Sequence, residues 1–196
     1  MELTPATVDE LAANYETDQP LADVEDEHRE LLPATFSSDS YGWRDVEWVV
    51  QWYFRRFLGA YPDDERRETE TAIRENDFED VQTAIGDAMA ADETTAKLES
   101  LTSLSGVEVP VASAFLAFLE PERYLVVSPA EWRVLRAAGE LDEPYPDPPS
   151  PADYERYLTR CRVVADRCEC SLRTLYRALW QVRRNDASGS AAFDQA

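Results

Sequence analysis

Between two apolar helical runs stands Gly106-Val107-Glu108-Val109, a turn whose composition raises the question of anion binding. A glycine turn that opens a helix points backbone N–H groups outward where the helix dipole is positive, and a phosphate fits there. Glu108 sets a carboxylate in that place. A like charge at ~4 Å costs about 4 kcal/mol at an effective dielectric of ~20. High salt weakens the repulsion without making it attractive. Arginines supply the other candidate chemistry: residues 151–184 hold eight of them against four acids. Arg156, Arg160, Arg173 and Arg177 are candidate phosphate contacts, with internal salt bridging to the acidic remainder as the alternative.

The sulfur chemistry is thin. Cys161, Cys168 and Cys170 form an odd set within ten residues, a poor disulfide framework. An iron–sulfur cluster normally takes four thiolates, so neither a metal nor another cofactor is expected. His28, in the run Asp26-Glu27-His28-Arg29-Glu30, reads as solvated.

The elements that must position these residues read as helices throughout. Thr7 followed by Glu10 reads as a capping box, and Asp23 to Leu32 as a further helix. Residues 41–58 carry Trp43, Val46, Val49, Val50, Tyr53, Phe54 and Phe57 at three-and-four spacing, a core-facing stripe. Two acidic helices are expected over Asp63 to Asn76 and Asp77 to Ala90, and a hairpin of helices over 95–119, capped by Thr94 or Thr95. Ser128-Pro129 and Ser150-Pro151 each join a cap to a first-turn proline. Gly139 stops one helix, the proline-rich stretch from Leu141 to Pro151 is a stiff loop, and Ser171 caps the last helix. A single domain over 1–184 is expected, with 185–196 as a disordered tail.

Composition bounds the setting. The 196 residues carry a formal charge of −21, and Lys97 is the only lysine against eighteen arginines. A folded, aromatic-rich chain this acidic fits a salt-accumulating, halophilic cytoplasm, where the Debye length is about 3 Å at 1 M salt. MELTPATVDE has neither a basic nor an apolar leader region, and no apolar run reaches ~18 residues. A cytoplasmic protein with no membrane role is expected.

Read from Leu104, the order L-S-G-V-E-V-P-V-A-S is similar to the L-P-G-V-G-x-K-T-A turn of the helix-hairpin-helix DNA glycosylases of the endonuclease III type. Val127 to Val134, VSPAEWRV, resembles their V-D-x-x-x-x-R-V segment with no gap between the two. GVEVPVASAFLAF, PERYLVVS and SLRTLYRALW also resemble, in order, three segments of uncharacterised glycosylase-like proteins. The resemblance implies an all-α, two-lobed helical bundle and double-stranded DNA as partner. It also locates the departures. Pro110 stands where the lyase lysine would be, so no Schiff base forms there. Ser128 stands where the catalytic aspartate would be, and a hydroxyl cannot do a carboxylate's work. Glu108 replaces the second turn glycine, and Tyr176 the aspartate of the C-terminal segment.

The expected function is that of a DNA-associated accessory protein without base excision. Two alternatives stay open. Glu131, three residues past Ser128, faces the same side of that helix and is the candidate for a relocated catalytic carboxylate in an active glycosylase. Glu108 and the overall acidity favour a protein-interaction or structural module with no nucleic-acid role.

Overall fold

A computed structural model describes residues 2–38 and 40–193, the last eight of these by backbone alone. Among the described residues the regular structure is entirely helical: α1 (Pro5–Asp18), α2 (Ala22–Phe36), α3 (Trp43–Arg55), α4 (Asp63–Arg74), α5 (Phe78–Ala90), α6 (Thr94–Thr102), α7 (Val109–Leu119), α8 (Pro129–Ala137), α9 (Pro151–Arg167) and α10 (Leu172–Phe193). Among the described residues no helix is long and apolar enough to cross a membrane.

Helix starts follow the chemistry of caps. Ser128 Oγ accepts from the Ala130 N–H at 3.2 Å, and Ser150 and Asp153 bond reciprocally at the start of α9. Ser171 Oγ accepts from the Thr174 N–H at 3.0 Å to open α10. At the N-terminus the cap is Thr4, three residues before the expected box, and Thr7 donates its N–H to it. Pro5 supplies the reason: its fixed φ suits the first helical position and moves the start upstream. The last helix continues to Phe193, through much of the expected tail, while residues 194–196 lie outside the described residues.

Helix α7 is the centre of one half of the packing. Every residue from Val109 to Leu119 except Pro110 is buried, against α2, α3, α6 and α9. A helix apolar on all sides is stable when its whole surface is covered by other elements. The second centre is α10, which packs on α1, α8 and α9 and so joins the two ends of the chain. The buried apolar residues form one cluster that reaches from Leu3 to Val182. The lone lysine is also internal: Lys97 Nζ donates to the Ala88 carbonyl at 2.8 Å and lies 2.6 Å from Glu120, fastening α5 and the end of α7 to α6.

The turn between α6 and α7 leans on α4. Gly106 has φ +77, and a Cβ there would stand 2.9 Å from both the Ile73 nitrogen and the Thr69 carbonyl oxygen. Asn76 accepts from the Ser105 N–H at 2.9 Å and donates to the Ser105 carbonyl at 3.0 Å. The glycine therefore serves helix packing as well as turn conformation.

Candidate functional site: two clefts around a buried ion pair

Arg56 follows α3 directly and lies on its apolar stripe, seven residues past Val49 and three past Tyr53. Its guanidinium is wholly buried and meets the equally buried Glu131 of α8, Nη1 to Oε1 at 2.7 Å and Nη2 to Oε2 at 3.5 Å. The rings of Phe57 and Tyr53 lie 4.5 and 5.0 Å from the guanidinium carbon. The Ser128 hydroxyl donates to Glu131 Oε2 while capping α8. Burial alone would raise the Glu131 carboxyl. Arg56, then Arg183 and the Ser128 hydroxyl, overcome it and bring the pKa down to about 2. Glu131 is thus an anion held by a cation, with no exposed atom.

The backbone of Arg56 is a second junction. Its carbonyl accepts from Trp180 Nε1 at 2.8 Å, from Arg183 Nη2 at 2.9 Å and from Gln19 Nε2 at 3.5 Å. Three donors from the α1–α2 connection and α10 converge on one oxygen at the end of α3.

A second buried charge pair lies on α2. Its buried residues, Ala22, Glu25, Arg29, Leu32 and Phe36, recur at helical spacing with the charges in the middle. Glu25 accepts from the Tyr15 hydroxyl at 2.7 Å and Trp52 Nε1 at 3.1 Å, beside Arg29 at 3.4 Å. Tyr176 is buried next to this network, edge-on to Tyr15. His28 is half-buried rather than freely solvated: its ring stacks on Trp48 with centroids 3.6 Å apart, and Nδ1 contacts the Val24 carbonyl.

Two clefts flank this interior, and Tyr61 lines both. The first, of about 410 Å³, holds the hairpin turn: Gly106, Glu108 and Pro110 share it with Glu65 and Glu68 of α4. Three carboxylates thus line the cleft at the turn. The second, of about 580 Å³, lies between the α3–α4 loop, the start of α8 and α10. Pro129, Ala130 and Arg133 come from α8, and Trp180, Arg183 and Arg184 from α10. Ser128 is buried at the adjoining helix start and lines neither cleft. Pro110 and Ser128 are therefore not brought together on one open surface.

The four arginines singled out from the sequence are all engaged with carboxylates. Arg156 pairs with Glu143 and Asp153, and Arg160 with Glu140. Arg173 pairs with Asp26, and Arg177 with Glu16 and Asp26. None of them lines the cleft at the turn, where Val107 and Val109 are buried. Sequence reading missed Arg56, Glu25 and Arg29, and the signal for all three was a charge on an apolar helical stripe.

The cysteines behave as packing residues. Cys161 is buried beside Tyr157, and Cys168 Sγ donates to the Leu3 carbonyl at 3.4 Å. Among the described residues no group of three or more His, Cys, Asp or Glu side chains is arranged to hold a metal ion. Comparison with protein-family models, curated proteins and solved structures finds no match to the chain.

Proposed function

We propose that this chain is a non-excising, DNA-associated accessory protein built on a helix-hairpin-helix scaffold of the glycosylase type. The observation that carries the reading is the state of Glu131. A general base or an oxocarbenium-stabilising carboxylate must reach a substrate, and this one is wholly buried against Arg56 and Ser128. Its pKa near 2 leaves it a poor proton acceptor at neutral pH. Pro110 offers no amine for covalent chemistry. The apolar scaffold is kept while the polar positions are changed.

The acidic ring of Glu65, Glu68 and Glu108 favours a second reading, a protein-interaction module with no nucleic-acid role. One experiment separates them. The full chain is incubated in molar KCl with intact, damaged and abasic duplexes, and both retention of duplex and strand breaks after alkali are measured. Duplex binding without base release is expected. Base release by the parent chain would sink the non-excising reading, and the absence of duplex binding down to the lowest salt that keeps the chain folded would leave the interaction module.

A further inference from the structure

Acids outnumber basic residues 40 to 19 in this chain, so an arbitrary patch of its surface is acidic. The larger cleft is not. Arg133, Arg183 and Arg184 line it, and among the described residues no aspartate or glutamate does. Its neighbour across Tyr61, with three glutamates, shows that the sign is a property of the site rather than of the region. The volume of about 580 Å³ lies within the ~300–1,000 Å³ range of small-molecule sites.

The three cations are committed to different degrees. Arg184 lies 3.3 Å from Asp18. Arg183 is anchored by Nη2 on the Arg56 carbonyl, with the Phe57 and Trp180 rings at 4.8 and 5.1 Å. Its Nη1 is buried without a hydrogen-bond partner. Burial pushes this guanidinium down from its ordinary value, against the opposing pull of Glu131. Arg133 is exposed, and among the described residues it bonds the Pro129 carbonyl alone, through Nε at 3.1 Å.

The remaining wall is apolar and aromatic. Phe57 and Tyr61 are half-buried, and Leu58 is 46% exposed at the rim. Leu58 also has φ 53, a left-handed conformation that strains an L-residue. Strain and apolar exposure coincide here, the combination expected of a segment shaped for contact.

We propose that this cleft is a nucleotide site, with the phosphate on Arg133, Arg183 and Arg184 and the planar base against Phe57, Tyr61 and Leu58. A bare anion leaves the aromatic wall uncovered, and an uncharged ring leaves the exposed Arg133 of the same cleft without an anion. The two halves of the cleft together call for a ring and a phosphate in one ligand. The nucleotide is either free or an unpaired unit of a single strand. The inference rests on the cleft alone and does not require duplex binding.

The test is a ¹⁵N NMR titration of the full chain in molar KCl, following the Trp180 indole. The probes are a nucleoside 5′-monophosphate, the matching nucleoside, inorganic phosphate and a short single-stranded oligonucleotide. The expected result is a saturable shift with the monophosphate, at least about tenfold weaker with nucleoside or phosphate alone. Arg133→Glu lies on an exposed side chain and is expected to weaken binding about tenfold or more, with Arg133→Gln in between. Binding of the oligonucleotide without the monophosphate identifies the strand as the source, and the reverse identifies the free nucleotide. The proposal is overturned if no probe moves the Trp180 signal, if phosphate alone binds as tightly as the monophosphate, or if Arg133→Glu binds like the parent chain.

Discussion

Arg56 and Glu131 lie 75 residues apart in sequence and meet with both side chains fully buried, Nη1 to Oε1 at 2.7 Å. The pair joins the end of α3 to the first turn of α8. It lies beside both the helix start at Ser128 and the α10 residues that line the basic cleft. A buried pair contributes little over an apolar replacement, but breaking it is costly because one charge is left without a partner.

Glu131→Gln is therefore expected to destabilise the fold by about 3–5 kcal/mol, measured by denaturant unfolding in molar KCl. Arg56→Met should cost a similar amount, and the double change Arg56→Met with Glu131→Leu should cost clearly less than the sum. Additive losses would show that the two side chains do not act as a pair.

The same carboxyl sets an acid limit. Its pKa is about 2 in the fold against an ordinary value of 4.5, so the denatured chain takes up a proton that the folded chain refuses. The stabilisation is fully present above about pH 4.5 and is lost as pH falls toward 2. Urea midpoints across that window should fall steeply in the parent chain and less in Glu131→Gln. Parallel slopes would assign the acid sensitivity to other groups.

Gly106→Ala tests the lean of the hairpin on α4. The added Cβ meets the Ile73 nitrogen and Thr69 oxygen at 2.9 Å, and φ is +77. A loss of about 2–3 kcal/mol is expected from the left-handed backbone and the forced shift of α4 together. A neutral result would mean the turn moves freely from α4.

Thiol alkylation at mildly alkaline pH should find Cys170 first. Burial, then Cys168 and Asp9, push its thiol up to about 11, so even this reaction is slower than that of a free cysteine. Cys161 and Cys168 are buried, and they should react only when denaturant is added. Early labelling of Cys161 under native conditions would contradict the packing of α9.

Much of the helical layout was legible because its boundaries are made by local chemistry. Ser128-Pro129, Ser150-Pro151, Ser171 and Gly139 each do their work within a few residues, and each stands where it was expected. The start of α1 was displaced because Thr4 and Pro5 compete with Thr7 for the same role. The site was less legible. Periodicity told which face of α3 is inward, but not that Arg56 on that face meets a glutamate on α8. The clustering of Arg156, Arg160, Arg173 and Arg177 was visible, yet their partners at Glu140, Glu143, Asp26 and Glu16 come from other helices and loops. What sets the cleft cations apart is a lining that holds no aspartate or glutamate among the described residues, a property of the folded chain rather than of any local run.

The packing of α1 against α10 carries a consequence for how the chain is made. During synthesis α1 leaves the ribosome ahead of the other described helices, and its main partner, α10, follows all of them. Until then Val8, Ala12 and Tyr15 have no lasting cover, and the Arg56 carbonyl lacks its donors from Trp180 and Arg183. Completion of this fold thus waits for α10, whose arrival closes the interior and builds one wall of the basic cleft in the same step.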